Sequence, residues 1–199
     1  LHTAYRRQRQ MCIRDRGKVM FTPTVVDLMQ LNLDNGLILI VDVDYRETFA
    51  KASAVIIEDW SSQRCAVEHA TIHDVAEYVP GEFYKRELPC IFKVLYQVMD
   101  KLPENTIKYI VIDGYVFLDG APIPKWGLGG YLNNSLAGEI PIIGVAKTYF
   151  AGVPDNTRLL RGDSTKPLFV TATGLDLDLA REQAKQYIAN MHGEFRLPS

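Results

Sequence analysis

Cysteine is scarce in this chain. Cys12, Cys65 and Cys90 are scattered and odd in number, which speaks against a disulfide framework and against the paired spacings of a zinc site. A reducing cytoplasm is the compartment that such usage suits. Long apolar runs are missing as well: none approaches the roughly 18 residues that a membrane-spanning helix needs. The Arg-rich N-terminus lacks the apolar core of a secretory signal. Nor is there an excess of charge of one sign. The formal net charge is −2, so any surface for nucleic acid must be a local one. Repeats and low-complexity linkers are absent too. What remains is ordinary globular chemistry, 47% hydrophobic and 23% charged. At 199 residues that is enough for one domain with a sizeable core.

Residues 1–16 carry no periodic apolar pattern, and Met11 to Arg16 resembles a translated sequencing-adapter tail. Residues 1–19 are therefore read as a leader foreign to the domain or disordered, with a basic nucleic-acid-binding arm as the other reading. Residues 20–199 are the expected domain. Its strand candidates are Gly36 to Asp44, Ala52 to Trp60 and Arg64 to Ala70, the last two joined by Ser61-Ser62-Gln63 as a hairpin. Helical periodicity follows over Glu82 to Leu102, with Phe83, Leu88, Ile91, Val94, Leu95 and Val98 on one face. Pro89 is expected to kink that helix or to separate its first turns. Then come a strand at Ile107 to Ile112, a short helix at Leu128 to Leu136, strands at Ile142 to Ala146 and Pro167 to Thr171, and a final helix at Leu177 to Met191. The order β-β-β-α-β-α-β-β-α predicts an α/β domain with a mixed central sheet and flanking helices. A three-strand meander, a helix and a strand that returns beside the first resemble the start of the ribonuclease H-like fold, in which the first and fourth strands are neighbours.

Three acids stand out. Asp42 closes the run Leu37-Ile38-Leu39-Ile40-Val41, and Asp113 closes Tyr109-Ile110-Val111-Ile112 before Gly114. Glu87 lies near the start of the first long helix. A carboxylate where a buried strand meets solvent is not explained by packing, because burying an unpaired charge is costly. Two such strand ends with a third acid from a helix would make an oxygen-rich pocket for Mg²⁺, and open α/β sheets place their sites at such edges. Asp44, on the same side of an extended strand as Asp42, competes for the first position. The structural alternatives are a turn-capping Asp42 and a Glu87 paired with Lys85 or Lys93 on the helix surface. Gly-Leu-Gly-Gly at Gly127 to Gly130 has no following Lys-Ser/Thr and is not read as a phosphate-cradling loop.

Four stretches in order, Asp42-Val43-Asp44-Tyr45, Tyr78-Val79-Pro80-Gly81 with Arg86-Glu87, Asp113-Gly114 and Gly144-Val145-Ala146-Lys147, resemble the successive motifs of the endonuclease V family. Arg196-Leu197-Pro198 resembles the start of a C-terminal motif that normally continues, so a truncated C-terminus is expected. The resemblance implies a Mg²⁺-dependent endonuclease (Mn²⁺ being an alternative metal) that cleaves DNA or RNA one bond to the 3′ side of deaminated adenine, as inosine, in nucleic-acid repair. It assigns Asp42, Glu87 and Asp113 as catalytic, metal-binding carboxylates. Tyr78, Val79, Pro80 and Gly81 become a strand-separating wedge, with Gly114 near the base and Lys147 at a backbone phosphate. A monomer with no membrane partner is expected.

Two departures accompany the match. The family's Gly-His after its late strand is replaced by Phe169-Val170-Thr171-Ala172-Thr173-Gly174-Leu175, and His192 lies too far along the final helix to stand in. The loop after Asp113-Gly114 reads Tyr115-Val116-Phe117-Leu118-Asp119-Gly120-Ala121-Pro122-Ile123-Pro124-Lys125-Trp126 in place of a His-Pro-Arg type. A second expectation is therefore a nucleic-acid-binding relative with weak catalysis, and a third is a ribonuclease H-like enzyme indifferent to inosine.

Overall fold

The computed structural model describes residues 23–160 and 164–191. The expectations for residues 1–19, His192 and Arg196 to Pro198 lie outside the described residues. The chain divides into two compact units, with the division between Lys108 and Tyr109.

The first unit holds β1 (Thr24–Val25), β2 (Leu37–Tyr45), β3 (Ala50–Ile57), β4 (Arg64–Ile72) and α1 (Phe83–Met99). Its strands run in the order β1-β4-β3-β2. The expected meander is present: β2 pairs antiparallel with β3, and β3 with β4, while β1 joins β4 in parallel. β3 stops at Ile57, short of the expected Trp60. There Asp59 turns the chain, its Oδ1 accepting hydrogen bonds from the Ser61 amide and hydroxyl, both at 2.8 Å. This side-chain mimicry of a turn draws residues out of the ladder. β1 carries no readable sequence signal, because two residues show no period. It exists through tertiary pairing, with Thr24 N–H donating to Gln63 O at 2.7 Å.

Helix α1 packs on β3 and β4, and it corrects two expectations. It runs unbroken through Pro89. Pro89 sits on the exposed side, where water can replace the helical hydrogen bond that its missing N–H removes. The buried stripe also departs from the expected face at its N-terminal end, while Ile91, Val94, Leu95 and Val98 are buried as expected. It comprises Glu87, Cys90, Ile91, Val94, Leu95 and Val98, whereas Phe83 is exposed. Gln97 Nε2 bonds to Glu68 Oε2 (2.8 Å) and Lys101 Nζ to Glu68 Oε1 (2.7 Å), fixing the helix against the edge of β4.

The second unit holds the rest of β5 (Ile107–Ile112), then α2 (Leu128–Ser135), β6 (Ile142–Ala146), β7 (Arg158–Leu159), β8 (Leu168–Thr173) and α3 (Leu177–Met191). The strand order is β5-β6-β8-β7. β5 and β6 are parallel, while β8 is antiparallel to both β6 and β7. β7 was not legible, for the same reason as β1. The core combines Ile110, Ile112, Leu132, Ile142, Ile143 and Leu168 with the α3 stripe Ala180, Ala184 and Ile188, a spacing of four that keeps one helix face inward. Asp176 Oδ1 accepts from Leu179 N–H at 2.9 Å at the start of α3, a capping contact.

Candidate functional site

In the first unit, Asp42 is half-buried on β2. It stands opposite Ser53 of β3, and Ser53 stands opposite His69 of β4. Ser53 is fully buried, and its Oγ lies 2.8 Å from His69 Nδ1. Asp44, the rival acid, is engaged elsewhere: its Oδ2 lies 2.6 Å from an Arg46 guanidinium nitrogen.

Glu87 is only 6% exposed, so it does not lie on the helix surface. Lys85 meets Glu82 at 2.8 Å, and Lys93 donates to Thr71 O at 3.0 Å. A carboxylate thus occupies the first position of an otherwise apolar stripe. Beside it stands Tyr45, which sequence reasoning did not single out. The Arg86 guanidinium covers the Tyr45 ring at 4.0 Å, a cation–π geometry. The Tyr45 hydroxyl is buried with no hydrogen-bond partner among the described residues. Burial drives its pKa strongly upward, and the charges of Glu87 and Asp42 push it the same way. Cys90 is pushed up too, by burial first and Glu87 second.

The residues expected to act as a wedge form an exposed turn. Glu82 N–H closes on Val79 O at 3.0 Å, with Pro80 and Gly81 at the turn centre. Gly81 has φ +81°, which with proline before it makes a type II turn. Tyr78 is 58% exposed and Val79 46%, and Tyr78 leans edge-on against Phe83 at 6.4 Å.

In the second unit, Asp113 is exposed at the end of β5. Gly114 N–H donates to Val145 O at 3.3 Å. At Gly144 an added Cβ would lie 2.4 Å from Gly114 O, so glycine is what permits this approach of two backbones. Val116 N–H donates to Thr171 Oγ1 at 2.8 Å in a buried contact. Thr171, in the stretch that lacks the family histidine, therefore acts as a clasp on the loop after Asp113. That loop is a small hairpin: Phe117 bridges Trp126, and Leu118 N–H donates to Lys125 O at 2.8 Å. Asp119 Oδ1 braces it from inside by accepting from Ala121 N–H at 3.1 Å. Lys147 is exposed just after β6.

Asp42 and Glu87 thus share the surroundings of Tyr45 in one unit, and Asp113 belongs to the other. Among the described residues no three His, Cys, Asp or Glu side chains are grouped closely enough to hold a metal ion by themselves. The donor chemistry nevertheless suits a hard cation. Mg²⁺ is commonly held by one or two carboxylates, with waters and substrate phosphates completing its shell. The buried Tyr45 hydroxyl is a polar atom beside those carboxylates that the protein leaves unsatisfied.

Comparison with known proteins follows the same direction. The family model described as endonuclease V matches residues 23–192. The chain is similar to the catalytic domain of human endonuclease V, with 20% identity, 94% of this chain and 87% of the other covered, and a TM-score of 0.62. A Ciona intestinalis endonuclease V, solved with a 24mer DNA containing an inosine followed by a ribo-adenosine, gives 17% identity, coverage of 92% and 85%, and a TM-score of 0.62. Streptomyces avermitilis endonuclease V gives 25% identity, coverage of 100% and 88%, and a TM-score of 0.56. No curated protein matches by sequence. The mixed strands and three α-helices of the described residues have the ribonuclease H-like fold of these structures. The chain belongs to the endonuclease V family.

Proposed function

We propose that this protein is a metal-dependent endonuclease that hydrolyses the phosphodiester one bond to the 3′ side of inosine in DNA or RNA. The observation that carries the reading is Glu87, a carboxylate sunk at 6% exposure into the core stripe of α1. Stability alone would favour an apolar residue there. Family membership gives that buried acid a purpose. The relative from Ciona is described in complex with inosine-containing DNA, which supports the same substrate for this chain.

In this reading Asp42, Glu87 and Asp113 hold Mg²⁺ or Mn²⁺. When bound, such an ion supplies Lewis acidity that favours water attack and stabilises charge on the departing 3′ oxygen. Water oxygen adds to phosphorus, the P–O3′ bond breaks, and one water proton ends on the 3′ oxygen. The chain's own residues position the strand. Tyr78 and Val79, exposed at a type II turn, fill the gap left by an extruded base. Gly81 and Gly114 allow backbone to approach the base, and Lys147 meets a phosphate. Buried Cys65 and Cys90 are free thiols, which suits a reducing cytoplasm. No described helix is long and apolar enough to cross a membrane. A monomer is the proposed state.

The second reading, a binding relative with weak catalysis, is favoured by Thr171. The stretch that lacks the histidine offers a hydroxyl already committed to Val116. Product analysis separates the two. A labelled strand with a single inosine, given Mg²⁺ or Mn²⁺, should yield one nick with 3′-hydroxyl and 5′-phosphate ends, and an inosine-free strand should stay intact. Tight binding with no nick under either metal overturns the enzyme in favour of the binding protein.

A further inference from the structure

In the first unit, the sheet face that carries Asp42 changes character from one end to the other. Ile38 stands opposite Ile57, and Ile40 opposite Val55, which in turn stands opposite Val67. The next two rows are polar across three strands: Asp42–Ser53–His69 and Asp44–Lys51–Thr71. Residues directly opposite one another point to the same side of a sheet, so these rows share a face. Glu68, one position from His69 on β4, points to the other side, where Gln97 and Lys101 of α1 bind it. The polar rows therefore lie on the side away from α1. His69 and Thr71 are exposed there, and Lys51 is half-buried.

Folding alone does not ask for this polarity. Apart from Lys51 and Ser53, every residue of β3 is a buried apolar one. Ser53 is fully buried, and its Oγ holds the exposed His69 ring at Nδ1 over 2.8 Å. Burial lowers the imidazole pKa, Lys51 lowers it further, and Glu68 opposes them, so the ring is neutral at pH 7. A Ser53 hydroxyl that donates to Nδ1 leaves the ring proton on Nε2, as a hydrogen-bond donor. Lys51 adds charge beside it. Asp44, directly opposite Lys51, is paired with Arg46, and among the described residues Lys51 makes no ion pair. An N–H donor next to an ammonium on an open sheet face suits the phosphate of a nucleic-acid backbone. Two strand spacings, roughly 10 Å, separate His69 from Asp42. That is too far for the ring to reach a phosphorus held at Asp42, and it suits a phosphate farther along the strand.

We infer that His69, oriented by Ser53, forms with Lys51 a second phosphate site that grips a backbone phosphate flanking the cleaved one. The inference rests on the proposed nuclease reading and adds binding residues to it. Fluorescence anisotropy with the full chain in EDTA reads binding without cleavage. The probes are labelled inosine-containing strands, each with one phosphate near the inosine replaced by neutral methylphosphonate. At least one flanking position should weaken wild-type binding about 5- to 20-fold. Lys51→Met and His69→Gln should each weaken binding of the unmodified strand by a similar factor. In both variants the methylphosphonate at that position should then cost less than about twofold, because its partner is already gone. Lys51→Arg, which keeps the charge, should bind within about threefold of wild type, and Lys51→Met should flatten the salt slope by roughly 0.7. A purely structural role for these side chains predicts equal losses on every probe. The site is overturned by that result, by no measurable wild-type binding, by no sensitive flanking position, or by either variant keeping the wild-type pattern. Nicking with Mg²⁺ or Mn²⁺ is scored separately. Its absence with the coupling intact sinks the nuclease and leaves the phosphate site, whereas nicking without the coupling does the reverse.

Discussion

Glu87 and His69 carry the account at the scale of single residues. Glu87 faces the core where the helix pattern wants an apolar side chain, and its charge lies near Asp42 and Tyr45. Glu87→Gln preserves shape and removes the buried charge. Calorimetry with Mn²⁺ should then show affinity reduced by at least the roughly 10- to 100-fold typical of losing an outer-shell partner. Undiminished metal binding in this variant would remove Glu87 from the site. At His69 burial lowers the imidazole pKa, with Lys51 lowering it further and Glu68 opposing. The neutral ring can accept the Ser53 hydroxyl at Nδ1. The unfolded chain takes up the proton near its ordinary value of about 6.5, while the folded chain resists. His69 therefore contributes stability that is present above that pH and lost as pH falls through the lower folded value. Urea midpoints from pH 8 to 5 should decline more in wild type than in His69→Gln, and parallel curves would contradict this assignment.

Among elements, legibility depended on how local the cause of each one is. The bounds of β5, β6 and α3 were readable because apolar runs and flanking Asp or Pro residues mark them directly. β1 and β7 were not, since each is two residues long and exists through pairing with a distant strand. Along α1 the expected Ile91, Val94, Leu95 and Val98 are buried, but at its start periodicity counts Phe83 and Leu88 as core where Glu87 and Cys90 are buried, Leu88 is half-buried and Phe83 is exposed. Asp42 and Asp113 could be found as acids that follow apolar runs, although Asp42 lies inside β2 and not at its end, but Tyr45 and Thr171 could not. A hydroxyl has no sequence signature for the neighbour it meets across a sheet or from a loop. Two substitutions test these elements. Gly144→Ala puts a Cβ 2.4 Å from Gly114 O, both atoms on backbone that cannot easily give, and should destabilise by about 2–3 kcal/mol in urea unfolding. Pro89→Ala restores a helical N–H in α1 and should stabilise by up to about 3 kcal/mol. Destabilisation would mean that the proline has a packing role.

For the whole molecule, family membership rests on ordered motifs that are weak one by one, together with the match over residues 23–192. With a net charge of −2, the proposed nucleic-acid affinity has to come from local features such as the Tyr78 turn and Lys147, not from a global field. The departures from the family pattern are concentrated in the second unit. There the loop after Asp113 is a braced hairpin, and Thr171 clasps Val116 where a histidine was expected. Kinship is thereby separated from catalytic strength. The decisive measurement is strand cleavage by wild type, Asp42→Ala and Asp113→Ala on one inosine-containing oligonucleotide, with Mg²⁺, Mn²⁺ or EDTA. The account predicts a single metal-dependent nick one bond 3′ of inosine by wild type and none by either variant. Absence of wild-type nicking with both metals, or nicking that persists in Asp42→Ala and Asp113→Ala, would contradict it.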